Sequence, residues 1–190
     1  MELKAAAPTD FWRKPPNLDV SSAPTSLKVI HSSKFHKARV TVSANWSRLY
    51  DQGGLFITFP SNPDLGKGPI GPSNSFWLKS GIEMYNDRPN LSTVAAREWA
   101  DWSLLPLEGK SVTIEIEREK VDPSIGLGSS LWVYLVAEGG KRTAVREVTW
   151  AFQFEGEMQV GVYAARPTKI EGDSGEELVV EFTDYELVAE

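Results

Sequence analysis

FWLKSGIEMY, residues 76–85, separates into two unlike faces when read with a period of two. Phe76, Leu78, Ile82 and Met84 fall on one side; Trp77, Lys79, Gly81 and Glu83 fall on the other. The first set is a core face, and alternation of this kind predicts a half-buried β-strand. The second set places an indole, an ammonium, a bare backbone position and a carboxylate in one row. The purpose of that row is the functional question the sequence raises.

The same alternation recurs along the chain. SLKVI (26–30), FHKARVTVSA (35–44), GLFITF (54–59), KSVTIEIERE (110–119) and SLWVYLVA (130–137) all read as strands. So do AVREVTWAFQF (144–154), MQVGVYAA (158–165) and ELVVEFTDYELV (177–188). Turn signals separate them: Ser61-Asn62-Pro63-Asp64, Gly66 to Pro72, Asp87-Arg88-Pro89-Asn90, Glu138-Gly139-Gly140-Lys141 and Glu171-Gly172-Asp173-Ser174-Gly175. The best helical candidate is STVAAREWADW (92–102), where Ala, Arg and Glu favour helix and Trp99 and Trp102 suit either state. Many short strands and few helices predict an all-β antiparallel sandwich or barrel. A chain of 190 residues can form one domain, and one domain spanning 1–190 is expected. The Pro- and Ser-rich residues 1–25 read as an extended arm. Phe11 and Trp12 within it predict that the arm is docked.

Composition narrows the function classes. A formal charge of -6 argues against nucleic acid or an anionic membrane as partner. With no cysteine, the chain has no disulfide, thiolate metal site or cysteine nucleophile. No apolar run reaches membrane-span length and the first ten residues lack a signal-peptide core, so a cytoplasmic setting is expected. The sequons at Asn45 and Asn90 then read as chance. His31 and His36 lack further ligands nearby and read as surface or packing residues; no metal and no cofactor is expected. Acidic turns at Glu171-Gly172-Asp173 and Asp122 lack the spacing of a calcium loop.

Six motifs together carry a resemblance: TDFWRKPP (9–16), LYDQGGLFITFP (49–60), FWLKSGIEMY, ADWSLLP (100–106), AVREVTWAFQF and VGVYAARP (160–167). Over essentially its whole length the chain resembles the fungal regulation-of-enolase type of a widespread family of unknown biochemical function. That resemblance implies a concanavalin A-like jelly-roll sandwich of two antiparallel sheets, one of them concave. Related jelly rolls bind sugars, cleave polysaccharides or mediate protein contacts, and fold alone does not choose among these. Enolase as a protein partner is implied only by the family name.

On a concave sheet the second row of FWLKSGIEMY would line a groove, with Gly81 leaving backbone free for close approach. An indole offers a flat face to sugar C–H groups and charged groups bind hydroxyls. The alternative is a solvated row of cross-strand ion pairs. Lys79 and Glu83 lie roughly 13 Å apart along a strand, so each needs a partner elsewhere. Candidates are Tyr50, Asp51 and Gln52, Asp101, Trp102 and Ser103, and Arg146 and Glu147. Asp51 suits turn capping or binding equally, Trp102 a stacking platform or the core, and Arg146 a structural bridge or an anion clamp.

A glycosidase needs two carboxyl groups suitably spaced. The Glu-x-Asp-x-x-Glu pattern that glucanases with this fold carry on a strand is absent from the predicted strands; its one match, Glu171-Gly172-Asp173-Ser174-Gly175-Glu176, falls in a turn signal. Glu115, Glu117 and Glu119 alternate with core residues and read as a solvent face. A hydrolase would therefore pair Glu83 with Asp51, Asp101 or Glu147 across strands, with Glu83 and Asp51 as candidate catalytic residues. No serine elbow or phosphate loop is present, Gly126-Leu127-Gly128 lacking the lysine such a loop requires. The expected function is non-catalytic binding or regulation. The expected ligand is a carbohydrate or sugar phosphate held near Tyr50, Asp51, Gln52, Trp77, Lys79, Glu83 and Arg146.

Overall fold

A computed structural model describes residues 1–60, 76–126, 128–172 and 174–190. The turns expected at 61–64 and 66–72, together with Leu127 and Asp173, lie outside the described residues. Fourteen strands are present among the described residues: β1 (Glu2–Ala5), β2 (Phe11–Lys14), β3 (Leu18–Ser21), β4 (Thr25–His31), β5 (Phe35–Ala44), β6 (Gln52–Phe59), β7 (Phe76–Tyr85), β8 (Arg88–Ala96), β9 (Ala100–Pro106), β10 (Ser111–Arg118), β11 (Leu131–Val136), β12 (Arg142–Val148), β13 (Glu157–Ala165) and β14 (Leu178–Ala189). Twelve of them form two six-stranded sheets, ordered β1-β14-β5-β10-β11-β12 and β4-β13-β6-β7-β8-β9. Their pairings are antiparallel, and the chain is an all-β jelly-roll sandwich.

The main core lies between the sheets. Phe76, Leu78 and Ile82 of β7 meet Val40 and Val42 of β5, Ile114 and Ile116 of β10, and Val180 and Phe182 of β14, all buried, with Met84 packed at the margin. The alternation of FWLKSGIEMY thus places its apolar face as expected. Asn86 and Asp87, at φ 53° and 57°, form the two-residue turn into β8. Their short polar side chains tolerate the left-handed region that such a turn needs. The expected turn at 87–90 is therefore shifted, and Arg88 to Asn90 belong to β8.

Residues 92–102 are not helical. β8 runs to Ala96, three residues bend, and β9 begins at Ala100. Asn90 to Ala96 are buried on both faces, so the alternation that marks a strand is erased there. Pairing with β7 and β9 overrides a helix preference worth only tenths of a kcal/mol per residue. Likewise β12 ends at Val148; Ala151 and Phe152 reach the core from the following turn.

The N-terminal segment is built from three short strands, β1, β2 and β3. β1 adds an edge strand to the first sheet beside β14. β2 and β3 form a separate hairpin that packs on the outer face of the second sheet, away from the main core. Phe11 stacks on Phe56 with ring centroids 4.2 Å apart and touches Trp77 and Tyr163. Further along β2, Trp12 meets Trp102 of β9, and Arg13 donates to the Arg97 carbonyl just beyond β8. The hairpin therefore crosses the strands from β13 and β6 towards β9. Burying Phe11 there stabilises the docked hairpin by about 1.5–3 kcal/mol.

A cavity beneath the N-terminal hairpin

Strand register sets the outer face of the second sheet. Phe56, Lys79, Val94 and Trp102 stand in one row across β6, β7, β8 and β9; Gln52, Glu83 and Asn90 stand in another. Gly54 and Gly81 face each other between these rows. A Cβ at Gly81 would lie 1.9 Å from the Gly53 carbonyl oxygen, and one at Gly54 would lie 2.1 Å from that of Ser80. The backbone at Gly81 is therefore closed against its neighbouring strand rather than left free for a ligand.

Lys79 is almost fully buried, at 2% exposure. Its ammonium donates to the Phe11 carbonyl at 2.7 Å, Gln52 Oε1 at 2.7 Å and Asp10 Oδ1 at 3.2 Å, which uses its three donors. Two of those acceptors belong to the N-terminal segment, so this lysine anchors the hairpin. Gln52 completes the junction. Its Nε2 donates to Asp10 Oδ1 and the Tyr50 carbonyl, and its Oε1 also accepts from the Tyr163 hydroxyl at 3.3 Å. Burial pushes the Tyr163 phenol well above its ordinary range, so it stays protonated as a donor.

Glu83 lies one row away. Ser92 Oγ donates to Glu83 Oε2 at 2.5 Å, and Trp102 Nε1 donates to the same oxygen at 3.1 Å. Burial pushes the Glu83 carboxyl above its ordinary 4.5 and the Asp10 charge adds to the rise; the Lys79 charge and the two hydrogen bonds oppose it. Trp102 also meets Tyr50 and Tyr85 edge to face, with centroids 6.3 and 5.4 Å away.

These groups enclose a cavity of about 470 Å³. Its walls include Asp10, Trp12 and Lys14 from the hairpin side, Tyr50 from the turn before β6, and Trp102, with Gln52, Lys79 and Glu83 at its base. Pro167 and Thr168 complete the rim. Of the residues singled out from sequence, Tyr50, Gln52, Lys79 and Glu83 are brought together here. Trp102, left between platform and core, is half-buried in the wall.

The other three lie elsewhere. Trp77 is buried beside Phe11 and Phe56 and borders a separate 280 Å³ cavity on the opposite flank of the hairpin. Asp51 sits fully buried behind the wall. Its carboxylate accepts from Arg166 Nε at 2.9 Å and Nη2 at 2.8 Å, and from the Ser47 and Arg48 amides. It thereby caps the preceding turn, where Tyr50 is held at φ 65°, a left-handed conformation costing about 1–3 kcal/mol. Arg146 is not a partner of Glu83 or Asp51. It bridges the open edge of the sandwich from β12 to β9, donating to Asp101 Oδ2 at 2.7 Å and Ser103 Oγ at 3.3 Å. Glu147 in turn accepts from Ser130. None of the acids expected to pair with Glu83 lines its cavity; Asp10 does.

Sequence reading missed Asp10, Lys14 and Arg166 as site-forming residues. The signal for the first two was the pair Phe11-Trp12, apolar side chains in an otherwise polar arm. Among the described residues no group of three or more His, Cys, Asp or Glu is arranged to hold a metal, and no helix is long and apolar enough to cross a membrane.

A family model described as protein of unknown function, DUF1349, matches residues 1–189. The chain belongs to the DUF1349 family. An uncharacterized protein from Emericella nidulans is 43% identical over 189 residues, covering 96% of this chain and 86% of its own. Regulation of enolase protein 1 of Saccharomyces cerevisiae is 30% identical over 101 residues, 53% of this chain and 44% of that protein. Among solved structures, a functionally unknown Saccharomyces cerevisiae protein matches all of this DUF1349 chain and 88% of its own, with TM-score 0.72 and 22% identity. A xylan beta-1,4-xylosidase from Bacillus halodurans matches 87% of this chain but only 30% of its own, with TM-score 0.55 and 12% identity. Those two structural likenesses concern the fold alone.

Proposed function

We propose that this DUF1349 protein is a non-catalytic saccharide-binding protein whose ligand occupies the cavity beneath the hairpin. The observation that carries the reading is the pairing of aromatic walls with a fixed acceptor. Trp12, Trp102 and Tyr50 offer ring surface to sugar C–H groups, while Glu83, oriented by Ser92 and Trp102, presents a carboxyl at the base. Gln52 and Thr168 supply further polar atoms. A neutral sugar suits the site better than a sugar phosphate, because Lys79 is already committed to Asp10 and two uncharged acceptors. Among the described residues, the acids Asp10 and Glu83 also line the cavity against a single exposed cation, Lys14. The relative's name makes enolase a candidate protein partner, and the same reading sets the protein in the cytoplasm.

One observation favours a second reading. Asp10 and Glu83 both line the cavity, and burial raises the Glu83 carboxyl, as suits a general acid. Against hydrolysis, Lys79, Gln52 and the Phe11 amide all donate to Asp10 Oδ1, which gives this carboxylate a structural task as the anchor of the hairpin. Calorimetric titration with neutral mono- and disaccharides, beside an aryl-glycoside turnover assay, separates the two. Binding by the wild type, lost in Trp102→Ala and unaccompanied by turnover, is expected. Turnover abolished by Glu83→Gln would establish the hydrolase instead, and no binding of any sugar would reject both.

A further inference from the structure

The hairpin and the segment leading into it border the cavity on two sides. Towards β9, Trp12 meets Trp102 with ring centroids 6.1 Å apart, and Trp102 meets Tyr50 at 6.3 Å. These edge-to-face contacts join the hairpin to the turn before β6 as a continuous aromatic wall. Towards β13, the segment leading into β2 is fastened to the segment leaving β13. Thr9 N donates to the Arg166 carbonyl at 3.1 Å, and Arg166 N donates to Thr9 Oγ1 at 3.0 Å. Arg166 is itself locked by Asp51 and the Glu176 carbonyl, so this end is rigidly held. Between these ends, the Lys79 ammonium holds the hairpin down on the sheet. On the hairpin's far flank, Phe11 fills the space over Phe56 and separates the site from the smaller cavity beside Trp77.

A polysaccharide running across the strands needs an entrance and an exit. Here the hairpin occupies that path, and the remaining 470 Å³ is the size of a cleft for one small molecule. We infer that the site is a closed-ended pocket for a mono- or disaccharide, or for the terminal units of a longer chain, and that the β2–β3 hairpin is the element that sets this limit. The inference rests on the saccharide reading of the cavity and names the class of saccharide.

The test is a chain-length series titrated calorimetrically into the full chain: glucose, xylose, mannose and galactose, with their β-1,4-linked oligomers of two to six units. Wild-type affinity is expected to level off by the dimer. In Trp12→Ala, which breaches the aromatic wall, longer oligomers should gain about 2- to 10-fold over the dimer, the worth of one further aromatic contact. A wild-type affinity that keeps climbing to the hexamer would overturn the closed end while leaving saccharide binding intact. An unchanged length profile in a folded Trp12→Ala would overturn the role given to the hairpin; should that variant not fold, the wild-type series alone decides. A wild type silent to every sugar of every length would instead overturn the saccharide reading itself.

Discussion

The outer faces of the two sheets carry similar alternating sequences and have opposite fates. On the first sheet, Glu115 and Glu117 of β10 stand beside Arg39 and Lys37 of β5, and Arg142 pairs with both acids. Thr41 and Thr113 extend the row with a hydroxyl–hydroxyl bond of 2.8 Å. Glu115 itself is well shielded, but by charged and polar neighbours, and the bases around it are about one-third exposed. On the second sheet, Lys79 and Glu83 have Phe56, Val94 and Tyr163 on the same face, and the hairpin has settled over them. A charge in a strand is thus ambiguous until its lateral neighbours are known. Polar neighbours produce a ladder of ion pairs, in which even the shielded Glu115 is met by Arg39 and Arg142; apolar neighbours recruit a cover of chain over the same residue types.

Substitutions sharpen this contrast. Phe11→Ala should be the most damaging, costing about 3–5 kcal/mol in denaturant unfolding, or undocking the hairpin with rapid hydrogen exchange at residues 9–22. Lys79→Met leaves the Phe11 carbonyl, Gln52 and Asp10 without their shared donor and should cost about 1–3 kcal/mol. Lys37→Ala on the open face removes a pair with Glu186 whose members are 32% and 49% exposed, and should cost about 0–1 kcal/mol. Equal costs for Lys79 and Lys37 would erase the distinction between the faces.

Glu83 supplies a pH test of the same distinction. Its carboxyl binds a proton more tightly in the folded protein than at the ordinary value of 4.5. Its favourable contribution is therefore fully present below 4.5 and is lost as pH rises through the higher folded value. Glu83→Gln retains an acceptor for Ser92 and Trp102 without the charge. The melting temperature of this variant should accordingly gain on the wild type as pH rises from about 4 towards 7. A gap independent of pH would mean that Glu83 is as well solvated as an acid on the open face.

The strands and their buried faces were legible because alternation is a local property. Phe76, Leu78 and Ile82 identified the core side of β7, and Lys79 and Glu83 the outer side, from ten consecutive residues. Residues 92–102 misled because β8 is buried on both faces and has no polar side to alternate with. Trp77 was separable from the core but not from the hairpin that covers it. The partners lay beyond any local signal: Asp10 reaches Lys79 across 69 positions of chain, and Arg166 reaches Asp51 across 115. Arg146 reads as either a bridging cation or an anion clamp and is expected among the ligand-binding residues; it bridges instead, and its acid lies on the opposite sheet, which strand spacing does not encode.

The most direct test of the account follows the indole N–H signals of the seven tryptophans during titration with mono- and disaccharides. Trp12 and Trp102, in the cavity wall, should shift together and saturably, while Trp132 on the outer face of the first sheet stays fixed. Shifts confined to Trp132 or Trp99, or none with any sugar, would contradict a saccharide site beneath the hairpin.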